Sequence, residues 1–591
     1  MRIRPYLRCT GRLGVLPLIC LALRTADAGS ATWNLNPTSG DWNTAANWTP
    51  NTVPNGGSDT ATFDLSNTTG ISISRNIQVN SIVFDPAADA FAITVRPTFF
   101  LDITGAGIAN NSGITQNLVT AVDPAGNEGI ITFHNGAMAG TGIVFTNPGG
   151  LIATNGGATT FLDTSSAGSA MFVNGGGVNI NGQGGGTGFE DNSTAADGTF
   201  VNNGGAANGA SGGITIVFDT ATAGSGTFIT NGGSARGAQG GIMQFSISAT
   251  AGNGTFISNG GQVFAAEGGI TEFLVSSTAG DANFTNNGGA VDGAVGAVMY
   301  FIDTSTAGNA TLIANGGPGA DTGAVIQFSD NSSGGAARVE LFGNGNLDIS
   351  DHDAPGVTIG SIEGDGFVLL GANELTVGTN RLSTIFSGSI RDGGISGGSG
   401  GSLIKTGKGK LTLRKASTYT GGTTIKRGTL LIRNTSGSGT GPGTVQVEAG
   451  TLGGTGKIAG AVTIGTKSGP GAVLAPGRNA VSPRTLTIQS SLTFNSDATY
   501  NLGLNSISSK ADQVVASGVT ISDALFSAFD LGGGVLSQGA AFTVISNTAA
   551  TPVAGTFANL PDGSTFTVGL NTFQASYEGG DGNDLTLTVV P

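Results

Sequence analysis

Aspartates separated by multiples of 28 residues are the first side chains in this sequence that could do chemistry. The series is Asp163, Asp191, Asp219 and Asp303. Carboxylates on successive turns of a repeating fold could serve as general acids and bases, or could bind Ca²⁺. Each aspartate stands before Thr or Asn in a turn-like context, where Asp side chains accept hydrogen bonds from backbone N–H groups. We interpret the series as turn caps, with a calcium-binding edge as the open alternative.

The densest run of charge is basic. Residues 400–434, GGSLIKTGKGKLTLRKASTYTGGTTIKRGTLLIRN, contain eight Lys or Arg and no acid, in a chain of formal net charge -14. Strand alternation puts Leu411 and Leu413 on one side and Lys410, Thr412 and Arg414 on the other, so that the charges point outward. The stripe could contact the chain's own acidic surface or an anionic glycan. We predict that the fold survives joint neutralisation of four of its cations, Lys405, Lys408, Lys410 and Arg414.

Two further clusters resemble metal sites. Residues 350–353, Ser-Asp-His-Asp, combine a histidine with acids, but His134 is the only other histidine and lies far away in sequence. One histidine does not make a metal site or a catalytic triad, so we predict an exposed turn. Residues 579–585, GGDGNDL, resemble one calcium-binding nonapeptide, and a single copy predicts an ordinary hairpin turn. We therefore assign no catalytic, cofactor-binding or metal-binding residue, and Ca²⁺ is the only cofactor left open.

The elements that position these side chains repeat every 28 residues. Phenylalanines form one series at 172, 200, 228, 256 and 284, and a second at 133, 161, 189, 245, 273 and 301 with Val217 in the missing place. Asn-Gly-Gly recurs from Asn203 to Asn315 with the same period, and stacked amides of this kind can hydrogen-bond along a rod. A unit this small buries its phenylalanines only by stacking on its neighbours. We predict one turn of a parallel β-helix per unit, in preference to a propeller.

Composition and the chain start point to export. Arg2, Arg4, Arg8 and Arg12 precede an apolar run and Ala26-Asp27-Ala28, which predicts a secretory signal peptide over residues 1–28. Both cysteines, Cys9 and Cys20, lie inside it. The mature chain would carry 19 basic and 37 acidic residues, so we expect it to repel nucleic acid and anionic membranes. No later run is long and apolar enough to predict a membrane span.

The basic stretch carries a family resemblance. The run GSLIKTGKGKLTL, followed by YTGGTTI and GTL, resembles the autotransporter-associated β-strand repeat, or passenger-associated transport repeat. The likeness covers about residues 355–590 and implies a right-handed parallel β-helix, bacterial, secreted or displayed at the cell surface. True autotransporters end in an outer-membrane barrel, whereas this sequence stops at Pro591 after its last strand-like run. We therefore do not expect self-translocation.

These observations predict an all-β, adhesin-like or structural surface protein, with glycans or other cell-surface components as possible partners. The alternative is a β-helical polysaccharide lyase or hydrolase, which would need carboxylates or a cationic base on one face of the coils. Arg236 is the only basic residue between 97 and 337, and we see no catalytic cluster, so we expect no enzyme activity. The three tryptophans, Trp33, Trp42 and Trp48, predict a buried end cap in preference to a sugar-stacking platform.

The sequence also suggests boundaries. They are a signal peptide at 1–28, an N-terminal cap and first coils at 29–132, the 28-residue repeats at 133–330, an irregular β-helix at 331–504 that includes the family repeat at 400–434, and a C-terminal β cap at 505–591.

Overall fold

The computed structural model describes residues 29–477 and 484–591. The predicted signal peptide, with Cys9 and Cys20, lies outside these residues. Apart from one 3₁₀ turn, every regular element among the described residues is a β-strand. Short β-branched and aromatic runs between Gly, Asn and Asp turns are the sequence pattern that favours such strands.

The chain begins with strands that close one end of the molecule and start the first coils. They are β1 (Ala31–Trp33), β2 (Trp48–Thr49, after the 3₁₀ turn Ala45–Asn47), β3 (Gly56–Phe63), β4 (Gly70–Ile73), β5 (Ile77–Phe84), β6 (Ala92–Val95), β7 (Phe100–Asn110) and β8 (Gln116–Thr120).

The repeat region contributes two short strands to each coil. They are β9 (Ile130–Phe133), β10 (Ile143–Asn147), β11 (Ala158–Phe161), β12 (Met171–Asn174), β13 (Gly186–Phe189), β14 (Thr199–Asn202), β15 (Ile214–Val217), β16 (Thr227–Thr230), β17 (Ile242–Phe245), β18 (Thr255–Ser258), β19 (Ile270–Phe273), β20 (Asn283–Asn286), β21 (Val298–Phe301), β22 (Thr311–Ala314) and β23 (Val325–Phe328).

The next coils are shorter and less regular. Their strands are β24 (Arg338–Leu341), β25 (Asn346–Asp348), β26 (Gly356–Ile359), β27 (Ser361–Gly364), β28 (Phe367–Leu369), β29 (Glu374–Val377), β30 (Thr384–Phe386), β31 (Ser389–Arg391), β32 (Ser402–Lys405), β33 (Lys410–Leu413), β34 (Thr423–Ile425), β35 (Thr429–Ile432), β36 (Val445–Val447), β37 (Gly450–Gly454), β38 (Lys457–Ile458), β39 (Val462–Ile464), β40 (Ala472–Pro476), β41 (Thr485–Ile488) and β42 (Leu492–Phe494).

Longer strands finish the chain. They are β43 (Ala498–Asn505), β44 (Lys510–Ala511), β45 (Gln513–Ala516), β46 (Val519–Ile521), β47 (Leu525–Asp530), β48 (Ala541–Asn547), β49 (Thr565–Val568), β50 (Asn571–Gly579) and β51 (Asp584–Val590).

Parallel pairing of successive coils builds three long sheets. The first sheet runs from β1 and β3 through the odd-numbered repeat strands to β31, and the second runs from β4 through the even-numbered repeat strands to β47. A third sheet starts at β26 and ends at β46. In the repeat region single bridged residues such as Ser166, Thr194 and Thr222 take its place. The predicted all-β parallel solenoid is confirmed.

The core consists of phenylalanine stacks. Phe172, Phe200 and Phe228 face one another in register, and stacked rings throughout the repeat lie 4.5–4.9 Å apart between centroids. This distance matches the spacing of hydrogen-bonded strands, so one 28-residue period advances the chain by one strand. Most rings also meet a ring of the opposite sheet edge-on, as Phe161 meets Phe172. The period therefore sets both the backbone register and the core packing.

Both ends of the solenoid are closed. Trp33, Trp42 and Trp48 are at most 1% exposed and pack around Phe63, which confirms a buried role and argues against a sugar platform. At the other end an antiparallel group formed by β48, β51, β50 and β49 covers the last coils. Such caps stop a sheet edge from pairing with another molecule. The domain boundaries drawn from the sequence stay a prediction.

Candidate functional site

The aspartate series lies at the turns that follow the strands of the first sheet. Asp163 has a positive φ of 57°, and the equivalent Asp191, Asp219 and Asp303 have the same left-handed backbone. The Asp163 carboxylate accepts a hydrogen bond from the N–H of Asn135 at 2.8 Å, one coil earlier, and the N–H of Asp163 donates to Asp191 at 3.0 Å. The carboxylates of Asp163, Asp191 and Asp303 therefore cap backbone groups between coils. Asp tolerates this backbone conformation better than most residues.

Two asparagine ladders run along the solenoid. The predicted one links Asn203, Asn231, Asn259, Asn287 and Asn315 by amide hydrogen bonds of 2.9–3.1 Å. The second is buried and was not predicted: Asn147 donates to Asn174 at 2.9 Å, and Asn174 donates to Asn202 at 2.8 Å. Threonine hydroxyls of the first sheet donate to the same amides. Both ladders are structural.

The two metal-like clusters are turns. Both ring nitrogens of His352 lie 2.6 Å from backbone carbonyl oxygens, those of Asp353 and Ser332, so the ring bridges two coils. The 579–585 motif forms the connection between β50 and β51, where Gly579 pairs with Asp584. Within residues 29–477 and 484–591 no group of three or more His, Asp or Glu side chains is arranged to hold a metal ion.

A cluster of two glutamates and one tyrosine departs from the repeat pattern. Glu272 and Tyr300 are paired neighbours on the outer face of the first sheet, at positions that hold Gly188 and Ile216 in earlier coils. Burial raises the pKa of Glu272, and it also raises the pKa of Glu267 in the preceding loop. The pKa of Tyr300 is raised by burial and by the charges of both glutamates. Two carboxyl groups with raised pKa values therefore lie near one phenol.

The basic stretch does not form a single outward stripe. Lys408, Lys426 and Arg427 lie exposed in the turns between the third and second sheets, whereas Arg414 and Arg433 follow the strands of the second sheet. The predicted outward positions of Lys405 and Thr412 are wrong, because both side chains are buried, at 1% and 2% exposure.

Lys405 is a structural cation. Its ammonium donates hydrogen bonds to the carbonyls of Thr406, Gly407 and Arg427, and so ties two successive turns together. Burial lowers the pKa of its ammonium to about 8. The expectation that Lys405 can be neutralised without effect on the fold therefore lacks support from its environment.

Two cations of the basic stretch, Arg414 and Lys415, line a cleft together with Arg391. The first sheet ends at β31, but the next coils keep stacking there without strand geometry: Ser389 Oγ donates to the Ala416 carbonyl at 2.9 Å, and the N–H of Ser417 donates to the Ser438 carbonyl at 2.8 Å. The resulting cleft has a volume of about 510 Å³. Three of its lining residues are cations and four carry hydroxyl groups, and they are Arg391, Arg414, Lys415, Ser389, Thr418, Thr435 and Ser436.

The coils beside the cleft are joined by backbone hydrogen bonds, and the cations that line it form no ion pair in the part of the chain that the structure describes. The N–H of Arg414 donates to the Phe386 carbonyl and that of Arg433 to the Leu413 carbonyl, so Arg433 follows Arg414 one coil further along. Among the described residues none of the lining cations has an ion-pair partner; the ion pairs present there involve His134 and Arg338. Ten Lys or Arg lie between residues 381 and 447, with Asp392 as the single acid.

Asp392 forms no ion pair with the lining cations within residues 29–477 and 484–591. Its carboxylate accepts hydrogen bonds from the N–H groups of Gly401 and Thr420 at 3.0 and 3.2 Å, and from the Thr420 hydroxyl at 2.7 Å. The Asp392 carboxylate thus serves as a hydrogen-bond acceptor for the backbone of a turn.

Arg391 and the neighbouring Phe367 lie outside the basic stretch and were not predicted as members of this site. The Arg391 guanidinium lies over the ring of Phe367, 4.2 Å from its centroid, and Arg391 Nε donates to Ser389 Oγ at 3.3 Å. The Lys415 ammonium lies 5.8 Å from the same ring. Phe367 pairs with Ser389 in register. The sequence does not predict this pairing, because the lengths of these irregular coils are not known from it.

Fold and cleft together define a parallel β-solenoid repeat protein with a basic site on its irregular coils. Within that solenoid, residues 403–432 match the passenger-associated-transport-repeat family, which confirms the resemblance over strands β32 to β35. No curated protein matches the chain.

Distant likenesses to this chain occur among the solved structures. The Haemophilus influenzae Hap adhesin crystal structure aligns with 90% of this chain at 10% identity and a TM-score of 0.27. The alignment covers 63% of that structure's chain, so this chain spans less than two thirds of it. The solenoid is therefore established from this chain's own strand pairing. The described residues contain no helix with the length and hydrophobicity needed to cross a membrane.

Proposed function

We propose that this chain is a secreted or surface-displayed β-helical protein of the passenger type, with a structural and adhesive role. The observation that carries the proposal is the passenger-associated repeat at 403–432, built into the coils as strands and bordered by an unpaired basic cleft. A repeat of this kind supplies a stable coil, while the exposed turns around it supply a surface for contact.

The physics of the solenoid supports a display role. Each coil is stabilised by its neighbours through stacked rings and side-chain ladders, so stability grows with the number of coils and leaves the outer turns free to vary. An elongated surface of this sort presents many turns to a partner at once. Glycans and other cell-surface components are the partners that we propose.

Adhesion can be measured with the purified, fluorescently labelled protein on bacterial cells and on a panel of immobilised polysaccharides. We expect saturable retention above that of an acidic globular protein of similar net charge. Retention no greater than that of the control on every surface would argue against the adhesive role.

A polysaccharide-active enzyme is the second candidate, and the group formed by Glu267, Glu272 and Tyr300 favours it. Carboxyls with raised pKa values are suited to act as general acids. The test is a turnover screen on neutral and acidic polysaccharides with the wild-type protein and with Glu272→Gln. Product release that is lost in the variant would establish the enzyme; the adhesive proposal predicts no turnover by either protein.

A further inference from the structure

We infer that the basic cleft binds the anionic sugars of an acidic polysaccharide, through carboxylate or sulfate groups. The inference rests on the proposed adhesive function and names the site and the ligand class that serve it. The cleft comprises Arg391, Arg414 and Lys415, with Phe367 at its side.

The size of the cleft fits a short stretch of sugar chain. Its volume of about 510 Å³ falls within the range of small-ligand sites. Besides the cations, its wall presents the hydroxyls of Thr418, Thr435 and Ser436, all of them on exposed residues. Hydroxyl groups can both donate and accept hydrogen bonds, which matches the hydroxyls of a sugar ring.

The Arg391 side chain is positioned in advance. Its guanidinium carbon lies over Phe367, 4.2 Å from the ring centroid, and its Nε donates to Ser389 Oγ. The two terminal nitrogens have no protein partner among the described residues. A planar guanidinium fixed in this way can bind a carboxylate or sulfate with two parallel hydrogen bonds.

The charge distribution favours a sugar chain over nucleic acid. The cations are concentrated between residues 381 and 447, whereas the whole chain has a formal net charge of -14. A nucleic acid carries closely spaced phosphates and would meet repulsion wherever it extended beyond the cleft. A short acidic oligosaccharide can place one or two of its charged groups in the cleft, and the hydroxyls beside them are neutral.

The test is a calorimetric titration of the purified protein with three tetrasaccharides: an oligogalacturonate, a sulfated galactan fragment and a neutral galactan fragment. The site variant is Arg414→Gln/Lys415→Gln. The control variant, Lys426→Gln/Arg427→Gln, removes the same charge from an exposed turn that does not line the cleft. Thermal unfolding of both variants checks that they fold.

We expect the acidic fragments to bind and the neutral fragment not to bind. The site variant should weaken binding at least about tenfold, since charge-assisted hydrogen bonds are lost, while the control stays within about twofold of wild type. The tighter of the two acidic fragments identifies carboxylate or sulfate as the natural group. Arg391→Lys should also weaken binding, because an ammonium cannot form the paired contact.

Equal weakening by the two double variants would overturn the inference, because it would show a non-specific charge effect. Competition by a single-stranded oligonucleotide as strong as that by the best tetrasaccharide would overturn the choice of a sugar. If the protein is retained on cells but binds no acidic fragment, the cleft inference fails and the adhesive proposal stands. If retention is also absent, both fail.

Discussion

At the scale of single residues, Lys405 shows how a charge can serve the fold. Its side chain is almost completely buried, and its ammonium joins the turn after β32 to the turn after β34 by donating to three carbonyls. A buried donor that satisfies several acceptors is costly to remove, because the acceptors lose partners that water cannot replace. The surrounding cations of the basic stretch have no such role.

Replacing Lys405 should therefore destabilise the protein, while replacing its exposed neighbour should not. We expect Lys405→Met to lower the free energy of unfolding at pH 7 by about 1–3 kcal/mol, and Lys408→Met to change it by less than about 0.5 kcal/mol. Denaturant melts of the two variants and wild type make the comparison. A more stable Lys405→Met protein would mean that the cost of burying the ammonium exceeds the value of its hydrogen bonds.

The buried carboxyl of Asp512, near the C-terminal end, should make the stability of the folded protein depend on pH. Burial raises the pKa of its carboxyl to about 6, although backbone N–H groups of Arg484 and Gly503 donate to it and oppose the rise. Because the folded pKa exceeds the unfolded value of about 3.9, the folded state binds the proton more tightly, and this stability is present below the unfolded pKa.

Stability should therefore fall as the pH rises from about 4 to 7, by roughly 2–3 kcal/mol for this group. The measurement is the melting temperature across that pH range, and Asp512→Asn should flatten the part of the slope that belongs to this carboxyl. An unchanged slope in the variant would assign the pH dependence to other groups.

At the scale of elements, two asparagine ladders join one coil to the next. One ladder is buried in the core and the other is partly exposed to solvent. Asn174 lies in the core, where its amide exchanges hydrogen bonds with Asn147, Asn202 and the Thr187 hydroxyl. Asn259 has two ladder bonds at the partly exposed corner. Water can replace a lost partner at the corner but not in the core.

Alanine substitutions should separate the two ladders. We expect Asn174→Ala to cost about 2–3 kcal/mol, since it leaves buried polar groups without partners, and Asn259→Ala to cost about 1 kcal/mol. Thermal unfolding of the two variants provides the ranking. Equal losses would show that the inner amide is no better protected from solvent than the outer one.

The same elements show what a sequence can reveal. The phenylalanine series and the outer ladder were predictable, because a fixed period of 28 places identical residues in register. The inner ladder left a weaker signal, since Asn202 and Asn286 keep the period while Thr230 and Ser258 replace Asn between them. Beyond residue 356 the coil length varies, so Arg391, Arg414 and Phe367 approach one another without any periodic sign in the sequence. The exposure of Lys405 was predicted wrongly, because strand alternation predicts on which face a side chain lies. It does not predict which neighbouring residues cover that face.

At the scale of the whole molecule, stability is a sum over neighbouring coils, and the ends are its weak points. The cap made by β48 to β51 holds the last coils through contacts such as the hydrogen bond from the Tyr500 hydroxyl to the Val544 carbonyl at 2.7 Å. Without it, strand edges and the side chains of Phe526 and Tyr500 would be exposed to pairing with other molecules.

Deleting residues 541–591 should therefore cause self-association. We expect the shortened protein to elute as oligomers or aggregates in light-scattering chromatography at concentrations where the full-length protein shows a lower mass. The control is Tyr500→Phe, which removes one hydrogen bond and leaves the cap in place. A truncated protein with the same association state as full length would show that the cap is not what protects the last coil.

We propose that the solenoid binds acidic surface glycans and does not degrade them. Passing the purified protein over an immobilised acidic polysaccharide, while the released material is analysed for new chain ends, measures binding and cleavage together. We expect saturable retention that is weakened in Arg414→Gln/Lys415→Gln, with no new chain ends. Progressive release of cleaved polysaccharide by the wild-type protein would contradict it.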